Sequence, residues 1–410
     1  MRLLVLTSRI PYPWWFYGVY TIYSLIKHLK NKGVDILLSF PVNSIQMNKE
    51  NIEHLISMGM KVLPFEMDTS DKIYRILLNI GSKTPFKWEK YFSEQYLVEI
   101  EKWLKKHGVD LIQVHTPHMS KYALKLREQY DILSILRVHD INFNQVKSFM
   151  DVTQNPIEKL IAYWQYRKTL KIEPQVWKSF EKVIFVTKQD YIQAKSMVEY
   201  GQAESSFTYI YDGIDIKENK WLKTNQKKKA FCFASSDQIQ NILSLKWFIN
   251  EIWRQIYKDL DYEFHIYGVV CNFFKDKSAE LASMKIKLCG FIEDVDELEN
   301  KLSDYAFFLS PTVVGSGYRT KILQMGAIGM PIMCTKFDYL PFEGMLDKYE
   351  DILVFEKAED FWNIVNAPYL NDILRKVSVS IHNKISSKFR WERVAEEFIK
   401  IYEEVLNKRR

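Results

Sequence analysis

The sequence predicts an α/β protein made of two doubly wound, parallel-sheet domains of similar size, and three observations predict it. Apolar runs of strand length alternate with longer stretches of helical periodicity in both halves of the chain. A charged segment poor in apolar residues, between Asp215 and Ala230, separates the two series. The 410 residues also exceed what one core explains at about 150 residues per domain.

The first series opens with Leu3-Leu4-Val5-Leu6, a continuous apolar run suited to a strand buried on both faces. A helical stretch from Val19 to Asn31 ends before Gly33, and the run from Val34 to Phe40 then completes a strand-helix-strand unit. Residues 110–115, 132–136 and 182–187 are further strands of this series. The second series places strands at 231–234, 263–268, 286–290, 306–309 and 331–334, with a helix from Asn241 to Tyr257 among them. The closing stretch from Trp391 to Leu406 carries Val394, Ala395, Phe398, Ile399, Tyr402 and Val405 at helix spacing. The expected division is therefore 1–215, 216–388 and a final helix over 389–410 that can cross back to the first domain. Two such domains are expected to face a central cleft at their strand carboxyl ends.

One turn of the second series carries chemistry. After the strand ending at Ser310, Gly315-Ser316-Gly317 precedes Arg319, Lys321 and Gln324 at the start of an apolar-faced helix. Glycines let backbone approach a ligand, and a helix N-terminus attracts an anion. Gly317, Lys321 and Gln324 share one helical face, whereas Arg319 lies about 200° from Lys321 and must reach a ligand from the first turn. Solvated helix cations beside a plain loop would give the same short pattern.

Composition narrows the classes. Apolar content of 47% with 57 Lys+Arg against 51 Asp+Glu describes a globular chain, and a net charge of +6 is not a nucleic-acid signature. No apolar run reaches the ~18 residues that span a bilayer, and the apolar start is too short for a signal peptide, so a cytoplasmic location is expected. Cys232, Cys271, Cys289 and Cys334 are widely spaced, which argues for reduced, buried thiols rather than a zinc or disulfide framework. Trp14, Trp15, Phe16, Tyr17 and Tyr20 lie close to Lys27, Lys30 and Lys32. That mixture fits a lipid-linked acceptor at the inner membrane face, and a core helix with a basic edge equally well. The Asp-x-Asp triplet Asp294-Val295-Asp296 reads as a helix start, so no metal site is expected.

The segment from Gly315 to Pro331 resembles the G-G-T-R-x-K-x-L-E-A-M-A-x-G-x-P pattern of family 4 (group 1) retaining glycosyltransferases, which have the GT-B fold of two Rossmann-like domains. Asp212-Gly213-Ile214-Asp215 is similar to the N-G-V-D that closes their first domain, and Phe233 to Ser236 with Asn241 and Lys246-Trp247-Phe248 to the opening of their second. Val138-His139-Asp140-Ile141-Asn142 resembles their H-N-x-E segment and Phe389-Arg390-Trp391 their terminal F-S-W. Three positions depart: Gln324 replaces Glu, Asn142 replaces Glu, and the loop Pro13 to Gly18 keeps only Gly18 of several glycines.

The resemblance implies metal-independent transfer of a sugar, with retention, from a nucleotide-sugar co-substrate to a glycan or lipid-linked saccharide in polysaccharide synthesis, with no other cofactor. It implies catalytic roles for Lys321, Arg319 and His139. It implies donor contacts from Gly315, Ser316, Gly317, Gln324, Ser235, Gly18, Asp140, Asn142 and Glu343. His115 and His118 end another first-domain strand and could face the acceptor, though solvated loop histidines explain them more simply. A catalytically silent GT-B-fold binding partner and a nucleotide-sugar epimerase are the alternatives.

Overall fold

The computed structural model describes residues 1–12, 19–153, 155–198, 206–224, 226–315 and 319–408. Within these the chain divides into two compact units, one holding residues 1–213 with Trp391–Arg410, the other residues 214–315 with Arg319–Arg390.

The sheet of the first unit contains β1 (Arg2–Leu6), β2 (Asp35–Val42), β3 (Lys61–Glu66), β4 (Leu111–His115), β5 (Leu133–Val138), β6 (Lys182–Phe185) and β7 (Phe207–Tyr209). These pair in parallel in the order β3-β2-β1-β4-β5-β6-β7. The strand order reverses between β1 and β4, the switch point where doubly wound sheets open a crevice at their carboxyl ends. Leu3, Leu4, Val5 and Leu6 are fully buried, as a central parallel strand covered on both faces requires.

The sheet of the second unit contains β8 (Ala230–Ala234), β9 (Glu263–Tyr267), β10 (Ile286–Gly290), β11 (Phe308–Ser310), β12 (Ile332–Thr335) and β13 (Leu353–Phe355). Their order is β10-β9-β8-β11-β12-β13, all parallel, with the switch point between β8 and β11. Phe231 on β8 stacks between Phe264 and Phe307, at 4.7 and 5.0 Å between ring centres, and anchors the core.

Two expectations are corrected. The charged run after Asp215 is not a free linker. Trp221 is buried with its indole N–H donating to Tyr305 O at 2.9 Å, and Lys217 and Lys220 share the Glu299 carboxylate at 2.8 and 2.9 Å. One buried carboxylate thus turns apparently solvated lysines into packing groups. Of the four thiols, Cys289 is half-buried and the other three are buried.

Asp294 caps the helix Val295–Leu302, accepting from Glu297 N at 2.7 Å, so the Asp-x-Asp triplet does begin a helix. The helix Trp391–Asn407 packs in the first unit against the helix Tyr20–Asn31. Lys32 pairs with Glu396 at 2.7 Å, and Trp391 Nε1 donates to Tyr20 OH at 3.4 Å, so one cation of this helix edge meets a carboxylate of the same unit. The aromatic loop at 13–18 lies outside the described residues.

Gly213 lies against that closing helix. A Cβ there would come within 2.6 Å of Trp391 Cδ2 and 2.9 Å of its Cα. Gly213→Ala should destabilise the protein by about 1–3 kcal/mol through overpacking. Chemical denaturation checks this by a lowered midpoint at unchanged slope, and an unchanged midpoint refutes it.

Candidate functional site

In the second unit the polar groups gather where β8 and β11 end. Ser310 closes β11, and its Oγ donates to Asp338 Oδ2 at 2.5 Å. The Thr312 N–H donates to the same oxygen at 3.1 Å, and Arg319 Nε to Asp338 Oδ1 at 2.8 Å. Asp338 is fully buried in the first turn of the helix Lys336–Tyr339, whose N-cap Thr335 accepts from Asp338 N at 3.3 Å. Thr335 Oγ1 also donates to Thr312 O at 2.5 Å. One carboxylate therefore holds both ends of the loop that enters the helix Thr320–Ala327, and satisfies its own charge with three donors.

Gly315 adopts φ +121°, a conformation other residues rarely take, and Arg319 Nη2 would lie 3.4 Å from a Cβ there. Ser316 and Gly317 lie outside the described residues.

Lys321 donates from Nζ to Ser235 Oγ at 2.6 Å and stands 4.8 Å from the Phe233 ring centre. Ser235 directly follows β8. Its placement depends on Gly268 at φ +99°, where a Cβ would fall 2.1 Å from Ser235 O. The ammonium thus spans the switch point of the sheet. Its pKa is drawn down to about 7, mainly by desolvation and further by Arg319, with Asp338 opposing. Gln324, one turn on, is half-buried and makes no side-chain hydrogen bond among the described residues. Glu343 is exposed just beyond the turn Leu340–Phe342.

In the first unit, a directional chain leads to His139. The Tyr402 hydroxyl donates to Gln113 Oε1. Gln113 Nε2 must then donate to His115 Nε2 at 2.7 Å, which leaves His115 Nδ1–H to donate to His139 Nε2 at 3.0 Å. His139 is left with its proton on Nδ1. Burial, then the Arg137 charge, pushes its pKa down to about 3, so the ring is neutral. Arg137 is itself buried, ion-paired to Asp212 and 4.7 Å from the Phe398 ring centre. His115 and His118 are buried, not solvated, and burial lowers both pKa values.

Asp140 accepts from Gln145 Nε2 at 2.8 Å. Asn142 is buried, and its N and Nδ2 both donate to Glu173 Oε1, at 3.0 and 2.8 Å. Both bonds hold Asn142 at the start of the helix Asn142–Val152. Glu173 is fully buried and also receives Phe143 N at 3.1 Å, while desolvation raises its pKa to about 7. Sequence reasoning singles out neither Glu173 nor Asp338. The Thr335-x-x-Asp338 capping pattern was a readable signal for the latter, whereas Glu173 sits mid-helix with none.

Residues 228–367 match the family model described as Glycosyl transferases group 1. That span contains Ser235, Lys321 and Asp338. Among curated proteins no match is found. The fold is that of GT-B glycosyltransferases, and solved structures align along nearly the whole chain. A glycosyltransferase from Rickettsia africae is 14% identical with a TM-score of 0.65, over 99% of this chain and 98% of that one. Anabaena Alr3699/HepE, solved in complex with UDP, is 12% identical with a TM-score of 0.65, over 98% and 100%. Sucrose-phosphate synthase from Thermosynechococcus elongatus is 12% identical with a TM-score of 0.70, over the full length of both.

Two measurements test this geometry. Asp338→Ala should cost about 3–5 kcal/mol by stranding the Arg319 charge, read from equilibrium unfolding. In ¹⁵N NMR, His139 should remain a neutral Nδ1–H imidazole from pH 5 to 8. A His139 resonance that titrates in that window refutes the chain from Tyr402.

Proposed function

We propose that the chain is a family 4 glycosyltransferase. It moves a sugar, with retention and without a metal, from a nucleotide diphosphate sugar to a saccharide or lipid-linked saccharide acceptor in surface-glycan synthesis. The carrying observation is the Lys321 ammonium held on Ser235 Oγ at the carboxyl ends of β8 and β11, within the span that matches the family model.

In the reaction, the bond between the anomeric carbon and the β-phosphate oxygen breaks, and its electron pair goes to the diphosphate. The acceptor oxygen bonds to the same face of that carbon, and its proton passes to the departing phosphate. The charge that develops is anionic and localised on the leaving group, and a preorganised cation stabilises it more than it stabilises the bound donor. Lys321 supplies that cation. Arg319, fixed by Asp338, holds the loop and adds a permanent positive field. Gln324 offers its carbonyl oxygen to the ribose diol, and in the first unit the neutral His139 is a donor, through Nδ1–H, suited to a saccharide hydroxyl. The UDP carried by HepE supports a uridine donor as the first to try.

Lys321→Ala should lower kcat by about 10²–10³-fold, the usual cost of one transition-state donor, while leaving the unfolding midpoint near wild type. The pH dependence is sharper. The diphosphate needs the ammonium, and the free protein loses that proton near pH 7. Affinity for a nucleotide diphosphate sugar, whose phosphodiesters stay ionised throughout, should be level below pH 7. It should fall by up to about tenfold per unit above it. Lys321→Arg keeps its charge and should flatten the profile. Calorimetric titrations from pH 6 to 9 with UDP-, GDP- and ADP-sugars decide the matter, and a pH-independent wild-type affinity refutes the role of Lys321.

A further inference from the structure

A further group of donors and cations gathers in the first unit, beyond the carboxyl ends of β1 and β4. The turn Pro117–Met119 follows β4 there and packs against the short helix Phe86–Lys90. Trp88 and His118 stand side by side across that contact, with ring centres 6.1 Å apart, and are 6% and 8% exposed. Neither Trp88 Nε1 nor His118 Nδ1 has a hydrogen-bond partner among the described residues. The indole N–H can only donate. With the Thr116 hydroxyl donating to His118 Nε2 at 3.1 Å, the hydrogen of the neutral imidazole sits on Nδ1, and that nitrogen is a donor too. Thr116 aims this ring from an unfavourable backbone conformation, φ +89° at a β-branched residue. Two buried donors left unpaired at one place call for an acceptor.

Three cations stand near the pair. Lys87, Lys90 and Arg9 all oppose protonation of His118, after the larger effect of its burial. Lys90 is buried and already paired with Asp71 at 2.6 Å. Lys87 and Arg9 are exposed and form no ion pair among the described residues. Asp140 and Glu173 lie near Lys87 but beyond ion-pair distance.

We infer that this cluster binds the anionic group of a saccharide, either a ring carboxylate or a phosphate ester. Lys87 and Arg9 supply the charge. The indole and imidazole N–H groups supply directed bonds, which are stronger to a charged acceptor than to a hydroxyl. A carboxylate offers only acceptors and a phosphate ester mainly acceptors, which matches a place where every unpaired group donates. His139, bonded to His115 at the end of the same β4, adds a neutral donor for a hydroxyl of the same molecule. The saccharide part of the inference rests on the proposed transfer reaction and makes its acceptor an acidic one, whereas the anion part stands on the cluster alone.

Indole NMR of the full chain tests it. In protein carrying ¹⁵N-tryptophan, the resonance absent from Trp88→Phe is that of Trp88. Titration with glucuronate or with glucose-6-phosphate should move it downfield, and glucose should leave it in place. At least one of the two anions should bind about tenfold or more tightly than glucose, the usual advantage of a charged acceptor. The tighter of them identifies the group as carboxylate or phosphate. Lys87→Ala, at an exposed position, should weaken that binding by about tenfold without moving the unfolding midpoint. Equal affinity for the anions and for glucose overturns the inference, as does a Trp88 resonance that neither anion moves or binding that Lys87→Ala leaves intact. Inorganic phosphate that binds as tightly as glucose-6-phosphate overturns the saccharide assignment. If the anionic sugars bind as expected while UDP-, GDP- and ADP-sugars all fail to bind, the transfer reaction is refuted and the anion site stands.

Discussion

The geometry around Lys321 depends on one buried carboxylate. Asp338 accepts from the hydroxyl that ends β11, from the Thr312 amide and from the Arg319 guanidinium. A lone carboxylate in that environment would carry a desolvation penalty of several kcal/mol, and three donors offset it. The reward is positional rather than energetic, because replacing the whole pair, Asp338 together with Arg319, by apolar residues of similar volume can leave stability unchanged. The loop's two ends are fixed to a common point, so the first turn of the helix Thr320–Ala327 is fixed too, and Lys321 reaches Ser235. Remove Asp338 and the lysine keeps its helix while the helix loses its anchor.

The first unit solves a related problem without a formal charge at the site. The Tyr402 hydroxyl orients a carboxamide, the carboxamide selects one tautomer of His115, and His115 presents a donor to His139. Each step is a neutral hydrogen bond worth about 1 kcal/mol net, yet together they dictate which nitrogen of His139 carries hydrogen. Arg137, packed against Phe398 and paired with Asp212, adds a buried positive charge nearby that opposes protonation of the ring. Tyr402 and Phe398 both belong to the closing helix. The last residues of the chain are thus part of the polar organisation of the first unit, and the Trp391 contact with Gly213 fixes where that helix begins.

What could be read from the sequence follows burial. Central strands such as β1 and β8 are covered on both faces and announce themselves as continuous apolar runs, and each was anticipated to within about two residues. β3, β7 and β13 were not, and all three are edge strands. β3 carries Pro64, which an interior strand would not tolerate, while β7 and β13 are three residues long. The lysines after Asp215 look like a solvated linker because composition cannot reveal Glu299, some 80 residues away, beneath them. His115 and His118 look like loop residues because a strand's last residue and the turn after it carry no periodicity that marks burial. Lys321 and Ser235 were legible through the motif around them, but the partnership between them was not. It exists only because the sheet brings the ends of β8 and β11 together.

The two cations of the loop do different physical work. A guanidinium cannot be discharged in a protein, so burying Arg319 requires a fixed counter-charge, and Asp338 provides it whether or not a ligand is present. An ammonium can shed its proton. Lys321 donates to a hydroxyl, Ser235 Oγ, and relieves part of the desolvation by a lowered pKa. In the proposed reaction an arriving diphosphate reverses that balance, since an opposite charge at contact distance restores the protonated form. Ser235 Oγ holds the ammonium by a neutral hydrogen bond, which orients the group without cancelling its charge. In the proposed function one cation therefore serves the architecture and the other, titratable, serves the anion.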